Sequence, residues 1–430
     1  MERGRSKESA VEPVRPPRES CEACGIDLSH NGGHPCSLLR GYSYSPEKIR
    51  AARDADRLLC LRMETNDTCN LGCLYCYSNS HENRHPHQMS FRGACDAVDQ
   101  ACELGVESIV YLGGEPLLYE RFWPFVEHVC RHDIAMVIFT NGMLIDATVA
   151  QHLSHLGTSI MLKWDGMEHS QDLLTGPGTY ARIRAALALL LEAGFAVREG
   201  QYTRLGLSAC ATKINSVDVL DVWRFARMNN IFPNVEIATR IGRASGALTL
   251  TNGESCRLIE TLIKIDAEEF GIKWSTAHSA IPAHSCGIFL AGAAVKADRG
   301  VALCPEMPAV ASLADTQLSQ IIQESPFSAA RYLESRIEKP CSSCEFLGLC
   351  LGGCRSKALV RYGSIFSPDP NCVFLNRSTN GSQDNENGPD MHLETLPSLE
   401  EAPHERSAPL RRGNSRSSVG IAFGFAPRDK

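Results

Sequence analysis

Short apolar runs of strand length alternate with amphipathic runs between residues 55 and 271. The clearest amphipathic run spans 179–193, where Ile183 and Leu187 share one face. Thr179 is a candidate N-cap at its start, and Gly194 is a stop signal after its end. The spacing therefore predicts a helix there and strands at the apolar runs. The apolar runs lie at 58–64, 108–112, 135–140, 159–163, 204–211 and 234–239.

A second helical pattern spans 216–229, with Asn215 or Ser216 as its cap. Six strand–helix repeats in a row predict a parallel α/β fold, either an open sheet or a partial barrel. The chemistry of such folds lies beyond the carboxyl ends of the strands. The inward face of the second helix would carry Val219, Val222, Trp223 and Ala226.

Composition changes this picture mainly through cysteine. The chain has 430 residues, a net charge of −7 and 19 cysteines. The N-terminus has no apolar signal segment, so we expect a cytoplasmic protein in which the thiols stay reduced and clustered cysteines indicate metal. The mild negative charge argues against nucleic-acid binding, and no apolar run is long enough for a membrane helix.

The organisation along the chain predicts four parts. Helical periodicity weakens after residue 272, where cysteine and glycine become frequent, which is typical of a region held together by metal. Both ends of the chain are polar and lack core-forming runs. We expect an N-terminal arm at 1–55, a barrel at 56–272, a cysteine-rich domain at 273–375 and a disordered tail at 376–430.

A three-cysteine motif follows the first predicted strand. Cys69, Cys73 and Cys76 have CxxxCxxC spacing. Three thiolates on one loop can hold three irons of a [4Fe–4S] cube, which leaves the fourth iron open to a small molecule. Zinc would need a fourth ligand and usually has paired CxxC units. The motif therefore favours an iron–sulfur cluster with an open site.

A second motif, Gly-Gly-Glu-Pro at 113–116, follows the second predicted strand. The two glycines allow the backbone to approach a ligand closely, and Glu115 offers a carboxylate to a ligand ammonium group. Because both motifs follow strands of one parallel sheet, we expect them at the same rim.

The two motifs together resemble the radical S-adenosylmethionine (radical SAM) superfamily over residues 58–244. The resemblance implies a partial (β/α)6 barrel of the TIM type, in which Cys69, Cys73 and Cys76 ligate the cluster and SAM chelates the open iron. One electron from the cluster would cleave SAM to a 5′-deoxyadenosyl radical that abstracts a substrate hydrogen. Tyr75 would pack near the adenine, and the methionine amino group would contact Gly113, Gly114, Glu115 and Pro116.

Four further polar residues follow later strands of the same rim. Asn141, Lys163, Asp165 and Arg240 are candidates for contacts with SAM or substrate. Lys163, Asp165 and Arg240 could equally form salt bridges at the barrel mouth. Six other cysteines fall at core-like positions, where a free thiol behaves as a small buried hydrophobe. These are Cys60, Cys95, Cys102, Cys130, Cys210 and Cys256.

A second cysteine constellation follows the barrel, and its block at 341–354 has CxxCx5CxxxC spacing. This pattern is similar to the SPASM extension of radical SAM enzymes, which carries two auxiliary [4Fe–4S] clusters. Structural zinc is the alternative. The resemblance gives the inner cluster only three cysteines, so we expect an open fourth site or a ligand such as His284 or substrate. The outer cluster would use Cys341, Cys344, Cys350 and Cys372, and the inner one Cys286, Cys304 and Cys354.

Glu306 lies two residues after Cys304 and is a candidate catalytic base. A further candidate site, for zinc, lies in the N-terminal arm; the alternative is a loose segment with incidental thiols. Its ligands would come from Cys21, Cys24, His30, His34 and Cys36.

Three clusters favour net oxidation, because an auxiliary cluster can accept the electron that a substrate radical releases. We expect side-chain modification of a ribosomal peptide or protein, with a flavodoxin- or ferredoxin-type electron donor. Residues 1–57 are too short for a leader-binding domain, which weakens this reading, and Pro305 argues against a sulfatase maturase. The alternatives are dehydrogenation of a small molecule such as a sugar or aminocyclitol, or an electron-transfer or scaffold protein.

Overall fold

The computed structural model describes residues 38–272 and 288–372. The candidate zinc site of the N-terminal arm, and also Cys286, His284 and the predicted tail, lie outside the described residues. The strands are β1 (Leu38–Leu39), β2 (Cys60–Glu64), β3 (Ser108–Leu112), β4 (Ala135–Thr140), β5 (Ser159–Lys163), β6 (Tyr202–Thr203), β7 (Leu205–Ala211), β8 (Phe232–Ile237), β9 (Gly292–Val295), β10 (Gly300–Ala302) and β11 (Ala311–Ser312).

The helices lie mostly between the strands. They are α1 (Pro46–Asp54), α2 (Phe91–Glu103), α3 (Phe122–Cys130), α4 (Ala147–His155), α5 (Glu168–Thr175), α6 (Thr179–Glu192), α7 (Asp218–Met228), α8 (Asn252–Glu269), α9 (Ile288–Ala291), α10 (Leu318–Ile321), α11 (Phe327–Arg331), α12 (Leu333–Arg336), α13 (Leu347–Cys350) and α14 (Arg355–Tyr362). None of the described helices combines the length and the apolar character that a membrane span requires.

One nine-stranded sheet organises the described residues, in the order β11-β10-β9-β2-β3-β4-β5-β7-β8. Six consecutive strands of this order, β2 to β8, are parallel to one another. The prediction of a six-stranded parallel α/β barrel unit is confirmed, and β3, β4 and β5 occupy the predicted residues. The carboxyl ends of these strands therefore meet at one rim.

The cysteine-rich region continues this sheet. β9 pairs in parallel with β2, the first barrel strand, and β10 and β11 add to it as antiparallel strands. This pairing brings the loop after β10, which carries Cys304, beside the rim of the barrel. The link between the two regions is therefore a shared sheet.

The two predicted helices form, but their caps differ from the prediction. α6 starts at Thr179, and the capping position is Gly178 in the left-handed region. α7 starts at Asp218 without a side-chain cap, because Asn215 accepts instead from the main-chain N–H and the hydroxyl of Thr212. All four residues predicted to face inward in α7 are buried: Val219, Val222, Trp223 and Ala226.

An aromatic cluster in the core fixes the start of the first cysteine loop. The Tyr111 ring of β3 stacks on Phe122 and meets the edge of Phe125. Its hydroxyl is 2.6 Å from the Thr65 hydroxyl, directly after β2. Because these groups are buried, the hydrogen bond holds the chain that leads into the loop.

Candidate functional site

A cavity of about 270 Å³ opens at the carboxyl ends of the barrel strands. Cys69, Cys73 and Cys76 line it from the loop after β2. Cys304 and Cys354 line it from the cysteine-rich region. Cysteines from both cysteine-containing motifs therefore line one space, where the topology predicts the chemistry.

The first cysteine loop is joined by hydrogen bonds to the Gly-Gly-Glu-Pro segment. The Gly114 N–H donates to the Asn66 carbonyl at 3.0 Å, and the Glu115 N–H donates to the Thr68 carbonyl at 2.8 Å. The Asn66 amide donates in return to the Glu115 carbonyl at 3.1 Å. The approach is so close that a Cβ on Gly114 would lie 2.0 Å from the Thr68 carbonyl oxygen.

The Glu115 carboxylate is held mainly by donors of the protein itself. Its Oε1 accepts from the Thr140 hydroxyl at 2.7 Å and the Leu117 N–H at 3.2 Å, and its Oε2 accepts from the Asn141 N–H at 2.9 Å. Burial raises the pKa of Glu115 to about 7, and these hydrogen bonds oppose that rise. The carboxylate thus ties the end of β3 to the end of β4 and has one lone pair left, on Oε2.

The three thiols of the loop suit a cluster that carries positive charge on its irons. Burial raises the pKa of Cys69 to about 11 and that of Cys73 to about 12. Beyond burial, Cys76 raises the pKa of Cys69, and both Cys69 and Cys76 raise that of Cys73, as expected for thiols on one short loop. The Asn141 amide donates to Cys69 Sγ at 3.8 Å. Bound iron would favour the thiolate forms that ligation requires.

The segment after β8 forms hydrogen bonds to the cysteine loop. The Arg243 guanidinium donates to the Gly72 carbonyl at 2.7 Å, and the Arg243 N–H donates to the Cys76 carbonyl at 3.0 Å. At Gly242, where φ is +64°, a Cβ would lie 2.4 Å from the Cys76 carbonyl oxygen. Arg240 is the predicted site residue of this segment, whereas the contacts with the loop come from Arg243.

Three of the other predicted site residues, Lys163, Asp165 and Tyr75, form one group joined by an ion pair and a hydrogen bond. Lys163 Nζ is 3.3 Å from Asp165 Oδ1 and 4.8 Å from the centre of the Tyr75 ring. The Tyr75 hydroxyl donates to Asp165 Oδ2. Burial by itself would lower the pKa of Lys163. The Asp165 carboxylate and other nearby acidic groups together outweigh burial, so the pKa is raised overall and the ammonium form is favoured. Asp165 is fully buried behind the wall, while Lys163 and Tyr75 line the cavity.

Arg240 is directed elsewhere. Its Nε donates to the Thr249 hydroxyl at 3.3 Å, and it is absent from the described cavity lining, as are Asp165 and Pro116. Asp165 is paired with Lys163, which is the salt bridge considered as the alternative to a contact with SAM or substrate.

The far wall of the cavity carries charge of both signs. Glu306 lines this wall together with Lys357, Arg62 and Glu236. Burial raises the pKa of Glu306 and so does Glu236, whereas Lys357 and Arg62 lower it. The predicted catalytic base is therefore in the same cavity as the cysteine loop.

Cys210 is buried, as predicted, and in addition it lies in the cavity wall. It belongs to β7, and its N–H donates to Asp165 Oδ1 at 2.8 Å. Burial and the nearby acidic groups raise its pKa, although Lys163 opposes them. The signal in the sequence was the two-residue alternation of Ser208 and Cys210 at the carboxyl end of a strand.

Four cysteines gather away from the cavity. Burial chiefly raises the pKa of Cys350 and of Cys341; Cys372, Cys341 and Cys344 raise that of Cys350 further, and Cys372 and Cys344 that of Cys341. Cys354 is separate from this group: its N–H donates to Asp369 Oδ2 at 2.7 Å, and its thiol faces the cavity with Cys304. Among the described cysteines, Cys304 and Cys354 thus line the cavity, whereas Cys341, Cys344, Cys350 and Cys372 do not.

Comparisons with known proteins agree with this geometry. Residues 63–208 match the model of the Radical SAM superfamily. Mycofactocin maturase MftC of Mycolicibacterium smegmatis is 27% identical over 342 residues, which cover 75% of this chain and 84% of MftC. The AdoMet-dependent heme synthase of Oleidesulfovibrio alaskensis is 20% identical over 384 residues, 81% of this chain and 96% of the synthase.

Solved structures show the same fold. The crystal structure of Streptococcus suis SuiB bound to its precursor peptide SuiA matches with a TM-score of 0.56 and 18% identity, and covers 75% of this chain and 78% of SuiB. SuiB bound to S-adenosylmethionine matches with the same TM-score over 73% of this chain.

Proposed function

The chain carries a radical SAM domain, and on this premise we propose that it is a maturase that oxidatively modifies a side chain of a ribosomal peptide. Radical SAM enzymes use SAM and a [4Fe–4S] cluster. The observation that carries the proposal is that Cys69, Cys73 and Cys76 line one cavity together with Cys304 and Cys354. A substrate held there would lie between two metal sites.

Cys69, Cys73 and Cys76 would hold the SAM-binding cluster. Their close spacing and their burial fit three thiolates on one cube, with the fourth iron open toward the cavity. When bound, the cluster and SAM supply reductive cleavage of SAM and, through it, removal of a hydrogen atom from the substrate. A flavodoxin- or ferredoxin-type protein would supply the electron.

The chain's own residues would position SAM. Gly113 and Gly114 line the cavity beside the cysteine loop, and their main-chain carbonyls would accept from the methionine ammonium group, with the remaining lone pair of the Glu115 carboxylate available as well. Asn141 and Tyr75 line the same cavity. Lys163 would present its ammonium group to an anionic part of SAM or of the substrate, because Asp165 holds its charge and position.

The cysteine-rich region would hold two auxiliary clusters. Cys341, Cys344, Cys350 and Cys372 would form the outer site, and Cys304 and Cys354, with Cys286, the inner one. The inner site adjoins the substrate cavity and could accept the electron left on the substrate. The barrel domain would end at residue 272, and the cysteine-rich domain would begin at residue 273. We expect about twelve irons per chain, because each of the three cubes holds four.

The mixed charge of the far wall supports a peptide substrate. Arg62 and Lys357 offer cations beside the acidic Glu306 and Glu236, so a polar backbone or a terminal carboxylate can be bound. The similarity to a maturase and to an enzyme crystallised with its precursor peptide points the same way. Glu306 would serve as the base that takes up the proton released on oxidation.

A small-molecule substrate is the alternative, and the likeness to a heme synthase keeps it in the test. The enzyme would be reconstituted anaerobically with iron and sulfide and given SAM and dithionite. Host extract would be separated at a few kilodaltons, and each fraction would be tested for stimulation of 5′-deoxyadenosine formation. We expect stimulation by the peptide fraction that is lost after protease digestion. Stimulation by the protease-resistant small fraction would overturn the peptide assignment.

A further inference from the structure

A cluster of three metal-binding side chains lies on the surface, outside the cavity. His128 belongs to α3, His132 follows the end of α3, and Asp99 belongs to the neighbouring α2. Asp99 Oδ1 is 2.7 Å from His128 Nε2 and 3.0 Å from His132 Nε2. None of the three residues lines the cavity described above.

The spacing of the two imidazoles matches a tetrahedral metal site. The two Nε2 atoms are 3.4 Å apart. Ligand atoms at about 2.0 Å from a tetrahedral zinc ion are separated by about 3.3 Å, so the two nitrogens already have the required separation. The Asp99 oxygen would move outward by a few tenths of an ångström, which an exposed side chain allows.

We propose that Asp99, His128 and His132 bind one Zn²⁺ ion or a similar divalent transition-metal ion. Two neutral imidazoles and one carboxylate are the donor set that such ions prefer, whereas Mg²⁺ and Ca²⁺ prefer all-oxygen sites. The side chains of His128 and His132 are only 16% and 32% exposed, and the Asp99 side is more open. Water would therefore complete the coordination, and the ion would link α2 to α3.

Arg131 opposes this binding. Its guanidinium donates to His128 Nδ1 at 3.3 Å. A metal-bound His128 must carry its hydrogen on Nδ1, and arginine has no acceptor for it. Metal binding therefore breaks this hydrogen bond and brings a second cation close to the guanidinium. Removal of the arginine charge should therefore tighten metal binding. If the two histidines served only to form hydrogen bonds with Asp99, no such change in metal binding would be expected.

The test uses the cluster-loaded enzyme, treated with a chelator to remove loose metal and titrated with ZnCl2 by calorimetry. Wild type would be compared with His132→Gln, Arg131→Gln and the control His155→Gln, which changes an exposed histidine on α4. Cysteine sites can also take zinc, so the quantity of interest is the difference between wild type and variant.

We expect wild type and the His155 variant to bind one more zinc per chain than the His132 variant, and the Arg131 variant to bind it several-fold more tightly. Zinc should raise the melting temperature of wild type but not of the His132 variant. X-ray absorption of the zinc-loaded enzyme should show the extra ion with nitrogen and oxygen at about 2.0 Å and no sulfur at about 2.3 Å. Equal zinc binding by wild type and the His132 variant, or a sulfur-only shell, would overturn the proposal.

Discussion

Replacement of Glu115 by Gln tests whether this residue is chiefly a structural link between strands. The carboxylate is 1% exposed and accepts from two backbone N–H groups, of Leu117 and Asn141, and from the Thr140 hydroxyl. A glutamine can offer only one oxygen to these donors. Whichever way its amide turns, its NH2 group faces a backbone N–H that then has no acceptor.

The expected loss of stability follows from the one backbone N–H group that is left without an acceptor. A buried N–H without a partner costs about 1–3 kcal/mol, and a hydrogen bond to a charged acceptor is lost as well. Removal of the buried charge offsets part of the loss, because burial already raises the pKa of Glu115 to about 7. We expect a net destabilisation of about 2 kcal/mol, which in a domain of this size lowers the melting temperature by about 4–8 °C.

The assay measures melting temperature and SAM affinity in the same cluster-loaded samples. Glu120→Gln is the matched control, since Glu120 is an exposed glutamate close by on the same segment. We expect the control to behave as wild type, and the Glu115 variant to lose at most about tenfold in SAM affinity, the value of one hydrogen bond. A Glu115 variant of unchanged melting temperature whose SAM affinity falls by orders of magnitude would refute this reasoning, because the carboxylate would then act mainly on SAM.

Two further substitutions test one contact beside the cysteine loop and one between α1 and α12. Gly114→Ala would place a Cβ 2.0 Å from the Thr68 carbonyl oxygen. We therefore expect urea unfolding to show a destabilisation of about 3 kcal/mol. The control Gly253→Ala, in α8, should be neutral or stabilising. Glu334→Gln should cost about 1 kcal/mol at pH 7, because hydrogen bonds from two arginines of α1 hold the pKa of Glu334 below its usual value of 4.5 despite burial. Since that pKa is lowered, this stabilisation is present above pH 4.5 and should decline as the pH falls below 4.5 toward the folded-state pKa; a difference from wild type that grows as the pH falls over this range would contradict it.

The barrel could be predicted from the sequence because its strands are continuous apolar runs. A parallel strand buried on both faces reads as such a run, and β3, β4 and β5 accordingly lie where the runs do. The helix caps could not be predicted in the same way. Asn215 has the right residue type for an N-cap, but its side chain bonds to Thr212 and to the carbonyls of Asp165 and Cys210 instead.

The site was predictable where chemistry and strand ends coincide. The cysteines at 69, 73 and 76 and the Gly-Gly-Glu-Pro segment follow adjacent strands, and the topology brings them together. Arg243 was not predictable, because its contact with the Gly72 carbonyl joins residues far apart in the chain. The same holds for the pairing of β9 with β2, which no local pattern encodes.

The most direct test of the account is SAM cleavage by single-cysteine variants. Cys73→Ala would be compared with Cys102→Ala, which removes a half-buried thiol of α2 outside the cavity. Both would be reconstituted anaerobically, analysed for iron, and assayed for 5′-deoxyadenosine with SAM and dithionite. The account predicts that the Cys102 variant matches wild type, while the Cys73 variant loses 5′-deoxyadenosine formation and about four irons per chain. Undiminished 5′-deoxyadenosine formation by the Cys73 variant would contradict it.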